Sequence, residues 1–314
     1  MGGLFDFTDY GALLPLVADS LVAAVVLGLV GGLVGVFVQL RDMQFAVHGI
    51  SELSFAGAAG ALLLGVDVAI GSIVGSLIAG ALIGALGVRA RDRNSVIGVL
   101  MPFGLGLGVL FVSLYHGRAA NKFGLLTGQI VAVDTVQLGW LVGVGVVVVL
   151  GLAVIWRPLL FVSTDPEVAA ARGVPAGLLS VAFALLLALA AALAVQVVGA
   201  LLVLALLVTP AAAAFRVTAS PVLAPVLSVV FAVVSAVGGI LLALGSSVPI
   251  SPFVTTISFA IYLVCRVLSR RLLRGGRRGP AVAGSAPGPD AGTGPAVPAS
   301  GADDGAVLTD GGRR

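Results

Sequence analysis

The sequence predicts an all-α, polytopic membrane protein with about nine transmembrane helices, eight being the other count it allows. Three observations carry that prediction. Of 314 residues, 59% are hydrophobic and only 10% charged, against about 25% charged in ordinary soluble domains. The apolar residues fall into nine long stretches rather than an alternating or amphipathic pattern. The arginines gather in every second joint between those stretches, as the positive-inside rule requires. A bilayer-spanning helix takes about 20 apolar residues, so the composition provides for roughly nine. A soluble enzyme of this length could not hide so much apolar surface, and that class is excluded.

The first stretch, about 16–40, contains Gly28, Gly31, Gly32 and Gly35, a small-residue spacing suited to close helix packing. No Lys or Arg precedes position 41, while Asp6, Asp9 and Asp19 do, so the basic start of a signal peptide is missing and a retained span is expected. The second stretch, 50–66, follows the joint Arg41–Asp42 and stops at Asp67; the third, 68–88, stops at Arg89. The fourth, 95–115, runs into a long polar joint from His116 to Asp134. The fifth, 136–156, ends at Arg157, and the sixth, 177–195, lies between Pro175 and Gln196. The seventh, 198–215, ends at Arg216; the eighth, 221–244, and the ninth, 252–270, open at Pro221 and Pro252.

Alternating the joints separates a basic set from a poor one. The first holds Arg41, Arg89, Arg91, Arg93, Arg157, Arg172, Arg216 and the cluster Arg266–Arg278. The second holds Asp67, Gln196, the turn Gly245–Pro252 and a loop whose basic residues are Arg118 and Lys122. The basic set is expected in the cytoplasm, which puts the N-terminus outside and the C-terminus inside. The expected domains are an external segment 1–15, a permease domain 16–271 with a short cytoplasmic helix at about 164–174, and a cytoplasmic tail 272–314. That tail is rich in Gly, Ala, Pro, Ser and Asp, a composition that cannot bury enough apolar area to order itself. The net charge of +3 and pI near 9.6 reflect the arginine joints, so membrane lipid and not nucleic acid is the expected surroundings. Cys265 is the single cysteine, which excludes an intrachain disulfide. No Gly-rich loop ending in Lys-Ser/Thr occurs, so any ATP would be used on another subunit.

Two places could carry chemistry. Of the 14 acidic residues, 13 sit at stretch ends, in joints or in the tail; Glu52 does not, and one of the two histidines, His48, stands four residues before it. On a helix an i, i+4 pair shares one face. Ionisable groups inside a membrane are costly and face a cavity or a pathway, and imidazole with carboxylate is a partial ligand set for a divalent transition metal. A structural ion pair, or a position at headgroup level, would account for the same spacing. The second place is Thr164-Asp165-Pro166-Glu167, which can cap and open a short helix that Arg172, Gly173 and Pro175 would end. Such an element is either an ordinary loop helix or a docking surface for a soluble partner.

Together these features resemble the ABC-3 metal permease family, the membrane subunit of zinc/manganese-type ATP-binding-cassette importers, from about Leu16 to Arg271. The run Gln39-Leu40-Arg41-Asp42-Met43 leading into His48–Gly57 is similar to the family's Arg-Arg-Met and Gly-Asp-Ala-Leu-Ser-His-Ala segments. Phe123–Ile130 resembles its Leu-Phe-Gly-x-Ile-Leu stretch. Asp165-Pro-Glu-Val-Ala-Ala-Ala-Arg-Gly173 resembles its Asp-x-Glu-x-Ala-x-x-x-Gly cytoplasmic helix. Val198-Gly199-Ala200 through Thr209-Pro210 to Ala214 is nearly the family's own wording. The departure is that carboxylate and imidazole exchange order in His48 and Glu52, and the usual Pro is Ala56.

The resemblance implies a permease whose cargo is a divalent metal, zinc first and manganese next, with no permanently bound cofactor. It implies three partners: a second copy of the chain, a cytoplasmic ABC ATPase that consumes ATP, and an extracytoplasmic metal-binding protein. His48 and Glu52 would contact the metal in the path, and His116 would be an outer-side contact or merely an exposed loop histidine. Asp165, Glu167, Ala169, Arg172 and Gly173 would dock the ATPase. Because the ligands must be deprotonated, uptake should weaken in acid. The alternatives from sequence are a permease for an iron chelate or other organometallic compound, and a proton-coupled secondary transporter with Glu52 as carrier. A membrane-embedded enzyme lacks support, since neither a Ser/His/Asp set nor HExxH is present.

Overall fold

The computed structural model describes residues 17–86, 90–118, 124–125, 135–200, 203–244 and 250–276. Every regular element among them is helical: α1 Ala18–Leu40, α2 Gln44–Leu64, α3 Val68–Leu86, α4 Ala90–Leu114, α5 Thr135–Thr164, α6 Pro166–Ala171, α7 Ala176–Val198, α8 Val203–Leu207, α9 Thr209–Val217, α10 Leu223–Leu244 and α11 Ile250–Gly276. Eight of these are long and apolar enough to cross a membrane. The expected segment 1–15, the basic position Arg89, most of Phe123–Ile130, the turn 245–249 and the tail from 277 onward lie outside the described residues.

Small residues set the helix pairs. Gly28 of α1 faces Val233 of α10, and Gly32 faces Val229, so the two helices run antiparallel. A Cβ at Gly32 would stand 2.5 Å from the Val229 Cα, a distance no carbon pair tolerates. Without a water-driven hydrophobic force between helices, such backbone contact is what holds a membrane bundle together. The α2–α3 pair is built likewise, with Gly57 against Gly71 and Gly75. Gly104 and Gly108 of α4 receive Leu53 and Phe55 of α2. Phe103 and Val154 are each more than half exposed, an arrangement suited to lipid and not to water.

Buried hydroxyls fasten two of these pairs and join α11 to α8. Ser228 donates to the Gly32 carbonyl at 2.7 Å, Ser54 meets Ser72 Oγ at 2.8 Å, and Ser258 donates to the Ala205 carbonyl at 2.7 Å. In a medium lacking water each buried polar group needs a protein partner.

The seventh apolar stretch forms two short helices in place of one span. Pro210 has no N–H, so the turn between α8 and α9 loses a rung and the helix restarts at Thr209. At one end of this broken segment Ser251 donates to the Val198 carbonyl at 3.2 Å, beside the start of α11. In its middle Gln39 donates to the Val208 carbonyl at 3.3 Å, and at its far end Arg216 reaches the Tyr262 hydroxyl at 3.4 Å. The segment thus runs from the α7–α11 end of the bundle to the end where Arg41 lies.

Several limits moved. The second stretch begins at Gln44 rather than 50, because Gln44 and His48 interrupt the hydropathy without interrupting the helix. The fifth extends past Arg157 and Pro158 to Thr164. Gln196 lies within α7, which ends instead at Gly199 with φ +88°.

Candidate functional site

Helix α2 is entered through a very tight joint. Arg41 caps α1, and Asp42 takes φ +50° while Met43 N–H donates to the Val38 carbonyl at 2.9 Å. This is the helix-ending motif in which glycine usually holds the left-handed position. Helix α2 therefore starts only three residues after α1 stops.

His48 and Glu52 follow one and two turns later, on one face. His48 Nε2 lies 3.5 Å from Glu52 Oε1, with the Glu52 side chain 4% exposed and that of His48 30% exposed. At 1.5 Å rise per residue Glu52 sits about 12 Å into α2, close to the helix midpoint. The apparent start of the second stretch is thus the middle of a helix. A metal with ligand bonds of about 2.1 Å at the tetrahedral angle holds two donor atoms roughly 3.4 Å apart. The spacing thus suits two ligands of one ion as well as a direct ion pair, with the partly exposed imidazole forming the accessible side. Among the described residues no group of three or more His, Cys, Asp and Glu side chains stands together. Among the described residues the pair thus stands as two donors, fewer than a closed metal site needs.

The second region is α6. Asp165 accepts from Val168 N–H at 3.0 Å, Pro166 occupies the first turn, and Glu167 adds a negative charge at the positive end of the helix. Arg172 caps the other end, where Gly173 has φ +74°. Gly173 N–H donates to the Ala170 carbonyl at 3.0 Å and Val174 N–H to the Ala169 carbonyl at 3.1 Å. Ala169 is fully buried and seats α6 between α5 and α7. Glu167, Val168 and Arg172 are exposed, with the Arg172 guanidinium 5.8 Å above the Phe161 ring.

A family model described as the ABC 3 transport family matches residues 14–269 of this bundle. The chain belongs to that family. The manganese transport system membrane protein MntC of Halalkalibacterium halodurans is 31% identical over 241 residues, covering 76% of this chain and 82% of its own. The high-affinity zinc uptake system membrane protein ZnuB of Haemophilus influenzae is 28% identical over 255 residues, 81% of this chain and 97% of its own. Among solved structures, one described as PsaBC from Streptococcus pneumoniae in complex with Fab superposes with a TM-score of 0.76 at 27% identity, covering 86% of this chain and all of that one. With its long apolar helices, this ABC 3 family member is a multi-pass protein of the cell membrane.

His116 is not brought to the α2 pair. It follows the C-terminal end of α4, is exposed, and lies at the opposite end of the bundle from Arg41 and Gln44. Helix α4 alone spans about 37 Å, so His48 and His116 cannot share an ion. The residue that sequence reasoning left as a topology marker is Arg41. Its guanidinium reaches Ser163 and Ser180, on either side of α6. Nothing local in the sequence signals this, because those serines stand 122 and 139 positions away.

Proposed function

We propose that the chain is the permease subunit of an ATP-binding-cassette importer for a divalent transition metal ion. His48 and Glu52 hold the ion briefly on its way through the membrane. The carrying observation is their 3.5 Å donor spacing at mid-helix depth, since a lone carboxylate at a bilayer centre costs about 2.5–3.5 kcal/mol and a cation offsets that cost. Two copies of the chain face each other across the path, which brings the donors to four, two from each copy. An extracytoplasmic binding protein delivers the metal near the outer loop after His116, and a separate cytoplasmic ATPase docks on α6 through Glu167, Arg172 and the turn at Gly173. The end of the bundle bearing Arg41, Arg172 and Arg216 is the cytoplasmic one. The N-terminal segment is then external, and the tail after 271 is cytoplasmic.

Imidazole with carboxylate suits zinc, which we keep as the first candidate, while the relative at 31% identity is named for manganese. The test is ATP-dependent uptake of radioactive zinc or manganese by the reconstituted complex. His48→Ala and Glu52→Ala should each lower uptake about tenfold or more, as loss of a metal contact does. Normal uptake and unchanged metal selectivity in both variants would remove the ligand assignment.

A further inference from the structure

We infer that Arg41 is a positioning residue that couples the α6 region to the metal-bearing helix α2. The inference rests on the importer reading above and extends it to the path by which movement travels. Three contacts define the link. Arg41 Nη1 lies 3.5 Å from Ser163 Oγ, two residues before the α6 cap, and Nη2 donates to Ser180 Oγ, near the start of α7. The guanidinium also lies 5.9 Å from the centroid of the Phe183 ring.

The hydroxyl protons explain why these contacts are specific. Ser163 donates its own proton to the Leu159 carbonyl at 2.6 Å, and Ser180 donates to the Ala176 carbonyl at 2.8 Å. Each oxygen is thereby left as an acceptor, which matches a guanidinium that can only donate. Two separated acceptors need the planar fork of arginine; a lysine ammonium satisfies one of them at a time.

On its other side Arg41 caps the C-terminal end of α1, and the joint to α2 has no slack. Met43 bonds back to Val38 at 2.9 Å, and Gln44 Nε2 donates to Gln39 Oε1 at 3.0 Å across the joint. His48 follows one turn later. A shift of α6 carries the end of α5 and the start of α7 with it, and Arg41 passes that shift to the base of α2. The movement is a rigid-body one acting through discrete bonds, the kind that links an energy source to a distant site.

The experiment uses the full complex in proteoliposomes and reads ATP hydrolysis and metal uptake together. The variants are Arg41→Lys, the pair Ser163→Ala with Ser180→Ala, and all three combined. The expected result is retained ATPase co-purification and retained hydrolysis, with metal taken up per ATP lowered at least about fivefold. The triple variant should be no worse than Arg41→Lys, because both changes cut the same link. Unchanged uptake per ATP in Arg41→Lys or in the serine pair overturns the proposal. So does additivity of the two, or loss of the assembled complex in the serine pair, which would mark the contacts as structural. If wild-type complex takes up neither zinc nor manganese, the importer reading itself fails, and that failure is seen before any variant is compared.

Discussion

Replacing Gly32 with alanine perturbs the α1–α10 seam at its tightest point. The added Cβ would stand 2.5 Å from Val229 Cα, 2.7 Å from Val229 N and 3.0 Å from the Ser228 carbonyl carbon, all backbone atoms that cannot swing aside. Restoring an ordinary carbon contact of about 3.5 Å requires the helices to part by roughly 1 Å. That parting stretches the 2.7 Å bond from Ser228 to the Gly32 carbonyl to about 3.7 Å, beyond hydrogen-bond range. Overpacking of this kind costs about 1–3 kcal/mol, and the lost membrane hydrogen bond adds roughly 0.6. We therefore expect a loss of about 2–4 kcal/mol. The assay is reversible unfolding in mixed micelles at rising SDS fraction. Ser228→Ala alone should cost about 0.6 kcal/mol and should add nothing to Gly32→Ala, since the alanine has already broken that bond. Unchanged stability of Gly32→Ala, or full additivity with Ser228→Ala, would refute the claim that backbone contact at Gly32 sets the helix spacing.

Two further outcomes follow from the turns. Gly173→Ala places a side chain at φ +74° and should cost about 1 kcal/mol locally, while Asp165→Ala removes the cap of α6 at a similar cost. Both should weaken ATPase co-purification more than they lower the unfolding midpoint of the isolated permease, and equal effects on the two would argue against docking at α6. Conversely, Asp42→Gly relieves a non-glycine residue at φ +50° and should raise stability by up to about 1 kcal/mol in the same SDS titration. A destabilised Asp42→Gly would mean that the aspartate side chain stabilises the joint.

Much of this molecule was legible before folding because its strongest signals are local. Runs of apolar residues locate membrane helices, and the joints at Arg41, Asp67 and Arg216 were found where polar residues interrupt them. The caps of α6 were readable for the same reason, since Asp165, Pro166 and Gly173 act on neighbours three or four residues away. Hydropathy misled where a helix carries its own polar residues. His48 made α2 look shorter than it is, and Gln196 looked like a boundary while lying inside α7. Pro210 sits in a recognisable motif, yet whether a proline kinks or breaks a helix depends on what can take up the freed groups, and Gln39 and α11 are remote in sequence. The i, i+4 spacing of His48 and Glu52 needed no tertiary information, whereas the burial of Glu52 did.

The two-piece segment α8–α9 bears on how the chain enters the membrane at all. Val203–Val217 covers about 22 Å, short of the roughly 30 Å hydrocarbon core, so neither it nor its halves make an independent insertion signal. Its place is held by groups on α1, which is synthesised long before it, and on α11, which is synthesised after it. The segment therefore gains its last side-chain partner only once α11 has left the ribosome, and a chain truncated within α10 would lack it. Biogenesis of this half of the molecule is a matter of timing as much as of hydropathy.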